Sequence, residues 1–233
     1  MQLKMASSVT CLLAWASGVL VLLPTLVSTA RLPNSFSLCR RSDPHLNTCL
    51  TKATQAAIPI LSQGVRKLGV LPIDPLFVTE MNINPGEGPV NVKINYRDQS
   101  ITGFRNLKVH GVRYTASGKI SFVPTTGSGN NNITLVNITT LATIRGQPIY
   151  KDGEEYLEIL HFDIKVGAKR MYMQFDNMFN AQIGDNMNRF LNENWEPILE
   201  EMLPGFEEAL GEIFKNISNR IYLKVPFRDI HPE

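Results

Sequence analysis

The C-terminal third of the chain carries apolar residues at intervals of three and four for about forty residues. Phe179, Ile183, Met187, Phe190, Ile198, Met202, Phe206, Ala209, Ile213 and Ile217 make one stripe, interrupted only by Asn194. Polar residues such as Asn186, Glu193, Glu200, Glu207 and Glu212 fill the positions between them. That spacing is the α-helical period, with one face apolar and the other wet. An unbroken helix of this length would reach about 60 Å, longer than most single domains are wide. Pro197 and Pro204 predict bends in it. A helix so long with one apolar stripe needs a partner surface that follows it along its length.

The middle of the chain supplies such a surface. Between residues 76 and 176 the hydrophobic period changes from 3.6 to 2. Val90-Asn91-Val92-Lys93-Ile94-Asn95-Tyr96 alternates, as does Leu160-His161-Phe162-Asp163-Ile164-Lys165-Val166, and Met171, Met173 and Phe175 alternate with Arg170, Tyr172 and Gln174. Less regular runs lie around residues 101–109, 119–123 and 133–144. Asn84-Pro85-Gly86, Ser117-Gly118, Gly127-Ser128-Gly129-Asn130, Lys151-Asp152-Gly153 and Val166-Gly167-Ala168 read as turns between strands. Short strands and tight turns predict an antiparallel sheet with one apolar face. The expected architecture is α+β, with a highly curved sheet wrapped around the long C-terminal helix.

A second helix is expected near the start. Asp43 and Pro44 suit its first turn, and Leu50, Ala53, Ala57, Leu61, Val65 and Leu68 form its stripe. Pro59 lies inside it, Gly69 ends it, and Leu71-Pro72-Ile73-Asp74-Pro75-Leu76 reads as an extended link into the sheet.

Residues 1–30 have a different character: Lys4 is the sole charged side chain, an apolar stretch covers residues 9–23, and Pro24 ends it. Ser28-Thr29-Ala30 then offers small residues for cleavage. This is the layout of a secretory signal peptide, so we expect a secreted, extracellular mature chain of residues 31–233 forming a single domain. Loss of Lys4 and Cys11 leaves 22 basic and 21 acidic side chains and two cysteines, Cys39 and Cys49. In an oxidising compartment those two pair as a disulfide around a short loop. With His45 they are too few for a structural zinc site, and no metal or other cofactor is expected. Asn132, Asn137 and Asn216 each begin an N-glycosylation triplet. On strict strand alternation, a glycan on Asn137 sends Leu135 and Thr139 to solvent and Val136, Ile138, Thr140, Ala142 and Ile144 to the protected face.

The near-neutral charge gives a phosphate backbone nothing to attract, so nucleic-acid binding is not expected. The four histidines, at 45, 110, 161 and 231, are scattered, and the sequence lacks H-E-x-x-H, G-x-S-x-G and phosphate-loop motifs. An enzyme is therefore not expected. The chain is rich instead in large apolar residues on two complementary surfaces. Ile94, Tyr96, Leu107, Val109, Phe122, Ile138, Leu160, Phe162 and Phe175 belong to the sheet, Phe179, Ile183, Met187 and Phe190 to the C-terminal helix, and Leu61, Val65 and Leu68 to the first helix. A strongly curved sheet that cannot close on one helix leaves an internal apolar tunnel, which these residues would line. Tyr150 or Tyr96 would offer a polar group to a ligand's head.

Cys39-x9-Cys49-Leu50 followed by Gly69-Val70-Leu71-Pro72-Ile73-Asp74-Pro75-Leu76 resembles the start of the insect takeout and juvenile-hormone-binding proteins. Phe175-Asp176-Asn177-Met178-Phe179-Asn180, Met187-Asn188-Arg189-Phe190-Leu191-Asn192-Glu193-Asn194-Trp195 and Val225-Pro226-Phe227-Arg228-Asp229-Ile230 are similar to their C-terminal segments. The resemblance covers essentially the whole mature chain. Ala181 stands where that family usually has glycine, and no cysteines remain for the second disulfide of the hormone-binding branch, which points to the takeout-like branch. The resemblance implies half of the bactericidal and lipid-transfer type of fold. It also implies an extracellular carrier of an elongated hydrophobic small molecule (a terpenoid, fatty acid or similar lipid) without stable membrane insertion. The alternative on the same fold is a module that recognises membranes or microbial lipids directly.

Overall fold

The computed structural model describes residues 30–83, 94–109, 116–124, 131–176 and 181–233. Helix α1 (Leu46–Gln63) precedes strands β1 (Leu76–Ile83), β2 (Ile94–Thr102), β3 (Lys108–Val109), β4 (Ala116–Pro124), β5 (Asn131–Lys151), β6 (Glu154–Gly167) and β7 (Arg170–Phe175). Helices α2 (Ala181–Glu193), α3 (Trp195–Tyr222) and α4 (Phe227–Ile230) follow. The expected signal peptide, Phe179, and the turns at residues 84–86 and 127–130 lie outside the described residues.

All strand pairs are antiparallel, in the order β1-β2-β4-β5-β6, with β3 beside β4 and β7 beside β5. Helix α3 touches β6 and also β1, the two ends of that path. Both ends of a sheet reach one helix only if the sheet curves around it, as the sequence predicts. The main core lies between them. It joins Val78 and Met81 of β1, Ile133, Leu135 and Ile138 of β5, and Met171 and Met173 of β7 to Ile198, Met202, Phe206 and Leu210 of α3. Each such side chain contributes about 1.5–3 kcal/mol on burial.

Three features differ from the sequence reading. First, the C-terminal helical stretch is divided at Asn194. Pro197 occupies the first turn of α3, where its missing N–H is harmless, and its ring crowds the carbonyl four residues back, on Glu193, where α2 ends. Pro204 is accommodated inside α3, and Pro59 inside α1. Second, α1 stops at Gln63, because Gly64 (φ 79°) turns the chain back, and Val65 bridges to Val70 around a short 3-10 turn. A Cβ at Gly64 would stand 2.7 Å from the Pro72 nitrogen, so only glycine fits that reversal.

Third, no hairpin forms at Val166-Gly167-Ala168. β6 runs on into β7 along the same neighbour: Thr139 opposes Gly167 and Val136 opposes Arg170 without a change of register. The bulge falls on β5 instead. Asn137 has φ 52°, and the pairing with β4 slips between Gly118 and Ile120. One extra residue exchanges the two faces of a strand. Leu135, expected in solvent, is therefore in the core together with Ile138, while Asn137 and Thr139 remain exposed and Ile144 is 43% exposed. The Lys151-Asp152-Gly153 turn is where the sequence places it, with positive φ at both Asp152 and Gly153, as a two-residue hairpin loop requires.

Helix side chains complete the hydrogen bonding of exposed strand backbone. Asn188 accepts from the Phe175 N–H and donates to its carbonyl, both at 2.9 Å. One turn on, Asn192 treats Met173 likewise (3.0 and 2.6 Å). Asn219 does the same for Ile159 (2.8 and 2.9 Å). Glu207 accepts from the Val166 N–H at 2.8 Å and pairs with the Lys165 ammonium at 2.7 Å, an interaction that raises the Lys165 pKa. Gln55 of α1 spans the Leu107 carbonyl and the Val109 N–H.

Asp74 anchors the link into β1. Its carboxylate accepts the backbone N–H groups of Gly103 and Arg105 and the Arg105 Nε, while Arg105 Nη2 donates to the Asp74 carbonyl. Cys39 and Cys49 are disulfide-bonded, with Cα atoms 5.8 Å apart. A second cluster (Val65, Leu68, Val70, Val225 and Ile230) joins the end of α1 to α4.

At Gly211 the contact between α3 and β6 admits no side chain, because a Cβ would collide with the Phe162 carbonyl. Gly211→Ala should destabilise the protein by about 1–3 kcal/mol in urea unfolding. An unchanged midpoint would show that the helix is free to shift. Asn219→Ala strips both partners from the Ile159 backbone and should cost a similar ~1–3 kcal/mol in the same assay.

Candidate functional site

The sequence expects a ligand space between α3 and the sheet, and a small apolar hollow lies there. It is lined by Met81 of β1, Tyr96 of β2, Ile133 and Leu135 of β5, Met171 of β7, and Leu199, Met202, Leu203 and Phe206 of α3. Strand alternation points Ile133 and Leu135 to one face, and Leu199, Met202, Leu203 and Phe206 are successive turns of one side of the helix. The hollow measures about 30 Å³. That is space for a water molecule or two, against roughly 300–1,000 Å³ for small-molecule pockets. Among the described residues this place holds a small hollow rather than an open tunnel, because the lining side chains nearly fill it.

Of the residues expected to line a tunnel, Tyr96 borders this hollow. Ile138 is fully buried in the main core, and Leu61, Leu107, Phe162 and Phe175 pack against that core. Phe162 stacks on Phe214 with ring centroids 5.8 Å apart, and Phe104 meets the same ring edge-on at 5.6 Å. Val65 and Leu68 belong to the second cluster instead, at the far end of α1. Val109 and Met187 are half-buried. The side chains of Ile94, Phe122 and Ile183 lie outside the described set.

Three residues face solvent. Tyr150 is 73% exposed beside the hairpin tip, Leu160 39% and Phe190 56%. Leu160 is the extra residue where Arg145 pairs with His161 and Gly146 with Ile159, so it turns outward and Ile159 takes its place inside. Phe190 lies outside because α2 turns Asn188, Leu191 and Asn192 toward the sheet and core.

The sequence pattern could have supplied several of the residues it missed. Met202 and Phe206 stand in the helical stripe and Met171 in the strand alternation. Leu135 was hidden by the bulge at Asn137. Met81 lies in a strand with no clean alternation in its sequence, Leu-Phe-Val-Thr-Glu-Met-Asn-Ile.

Among the described lining residues, Tyr96 alone carries a polar side-chain group. The residue is 4% exposed, and its hydroxyl has no hydrogen-bond partner among the described residues. Burial pushes its pKa upward, so the phenol stays protonated. Among the described residues no group of His, Cys, Asp and Glu is arranged to hold a metal ion, and no helix is long and apolar enough to cross a membrane. Asn132, Asn137 and Asn216 are all exposed.

If the hollow is a true weak point of packing, it should accept added volume. Leu203→Phe should leave thermal stability within about 1.5 kcal/mol of the parent, whereas Ile138→Phe, in the fully buried part of the core, should cost about 1–3 kcal/mol. Equal losses at both positions would mean that the two sites are equally well packed.

Comparison with known proteins places this geometry. The profile of the haemolymph juvenile hormone binding protein family (JHBP) matches residues 12–114 and 111–232. The circadian clock-controlled protein daywake of Drosophila melanogaster is 23% identical over 227 residues, covering 84% of this chain and 86% of that protein. Its counterpart in Drosophila yakuba is 19% identical over 258 aligned positions, covering 97% of each. Among solved structures, Takeout 1 of Epiphyas postvittana superposes with a TM-score of 0.65 at 22% identity, over 84% of this chain and all of that one. The fold is that of takeout, a long helix held in a curved antiparallel sheet, and the chain belongs to the takeout and haemolymph juvenile hormone binding protein family, a family of hydrophobic-ligand carriers.

Proposed function

We propose that this chain is a secreted carrier which holds one elongated hydrophobic molecule, a terpenoid or a fatty acyl compound, between α3 and the curved sheet. The observation that carries this reading is the lining of the hollow: among the described residues, eight of nine lining side chains are hydrocarbon or thioether, in a chain of a ligand-binding family. Three of the nine are methionines, Met81, Met171 and Met202. Unbranched and with three rotatable bonds, methionine can swing aside at little cost and then pack against whatever enters. The ligand thus makes its own room by displacing side chains that fill the space in its absence. Each methylene taken out of water contributes about 0.8 kcal/mol, so a chain of ten or more carbons can offset that rearrangement without polar contacts.

Secretion follows from the apolar N-terminal stretch ending at Ser28-Thr29-Ala30, and the exposed sequon asparagines are placed to carry glycans. Expressed in insect cells, the protein should appear in the medium with Arg31 as its first residue and lose mass on glycosidase treatment. Retention in the cell with residues 1–30 intact would contradict it.

Organic extraction of the purified protein followed by mass spectrometry should yield a hydrophobic compound in near-stoichiometric amount. Delipidated protein should bind an apolar fluorophore that long-chain compounds displace, and Leu203→Phe should weaken that binding at least about tenfold. Failure to bind any apolar probe, with the fold intact by circular dichroism, would overturn the reading.

A further inference from the structure

The register of β5 on β7 fixes the neighbours of Asn132, the first of the three sequon asparagines. Asn132 opposes Gln174, and Thr134 opposes Tyr172. Directly opposed residues share a face of the sheet, as do alternate residues of one strand. Ile133 and Met173 are in the core, so Asn132, Thr134, Tyr172 and Gln174 belong to the outer face. Tyr172 is 53% exposed there and diagonal to Asn132, a separation of about 7–8 Å that long side chains can span. Its ring is propped from one side. The Arg170 guanidinium lies 5.1 Å from the Tyr172 ring centroid and 5.2 Å from that of Trp195, and Nη2 donates to the Asn192 carbonyl at 2.9 Å. Arg170 and Gln174 flank Tyr172 along the strand, and Asn132 stands across from Gln174, on the side away from Arg170.

We propose that Tyr172 is a shelf for the first N-acetylglucosamine of a glycan on Asn132, which makes this sequon a stabilising part of the fold. The inference rests on the secretion and glycosylation part of the reading above and is independent of the ligand. The C–H hydrogens on one side of the sugar ring carry partial positive charge, the face of an aromatic ring is negative, and stacking the two removes apolar area of both from water. The other two sequons have no such neighbour. Asn216 has Glu212, Ile213, Asn219 and Arg220 at the adjacent positions of α3, none of them aromatic. Asn137 sits in the bulge between the Val136–Arg170 and Thr139–Gly167 pairs, with no aromatic residue opposite. Glycans at those positions extend into solvent and leave the fold's stability unchanged.

Full-length protein made in insect cells with Thr139→Ala and Ser218→Ala, which leave Asn132 as the one sequon, tests this. Peptide mapping should find the glycan on Asn132. An endoglycosidase that trims it to the first sugar should leave the melting temperature unchanged. Adding Asn132→Gln, which removes the sugar altogether, should lower that temperature by about 2–4 °C, the effect of one aromatic contact in a chain of this size. Tyr172→Phe should preserve that difference, and Tyr172→Ala should abolish it, whatever either substitution costs the unglycosylated protein. An equal difference with Tyr172→Ala, no difference in the parent, or secreted protein bare at Asn132 would overturn the shelf and leave the secretion reading standing. Protein retained in the cell without any glycan would overturn both.

Discussion

The structure depends on how the strand backbone that faces away from the sheet finds its partners. An edge strand presents N–H and carbonyl groups that must be bonded or hydrated. Here helices supply the bonds. Asn188 and Asn192, one turn apart on α2, match Phe175 and Met173, two residues apart on β7. Asn219 of α3 does the same for Ile159 of β6, and Glu207 of α3 accepts from the Val166 N–H. A carboxamide presents an acceptor and a donor side by side, as a neighbouring strand would. The helices therefore sit in fixed register on the sheet, and the rest of the packing follows from that placement.

Helix α3 consequently has two unlike seams. Its C-terminal half is locked to β6, by Asn219 to the Ile159 backbone and by the bare backbone approach at Gly211. Its N-terminal half meets β1, β2, β5 and β7 through the apolar side chains of Leu199, Met202, Leu203 and Phe206. The locked seam resists movement. The other consists of apolar side chains around residual space.

Much of this was readable from residue periods. The α3 stripe, the alternation of β6 and β7 and the Asp152-Gly153 turn are local signals, and all three are found. The disulfide followed from counting. What escaped depends on partners far away in sequence. The Asn137 bulge is defined by its pairing with β4, and it reverses the faces that strict alternation assigns to Leu135. Gly167-Ala168 looks like a turn until β5 is seen to run past it unbroken. The bonding roles of Asn188 and Asn192 escape the sequence because a helix period cannot show that a strand edge lies opposite them. For the site, Tyr96 was legible as a polar group in apolar company, whereas Tyr150 has the same chemistry and lies in solvent.

The central claim is that an apolar molecule enters beside the N-terminal half of α3. Photolabelling with a diazirine-bearing fatty acyl ester, followed by peptide mapping, tests it most directly. The account predicts label on the segments carrying Met171 and Met202, abolished by excess unlabelled ester. Label confined to exposed apolar residues such as Phe190 or Tyr150, and indifferent to competitor, would contradict it.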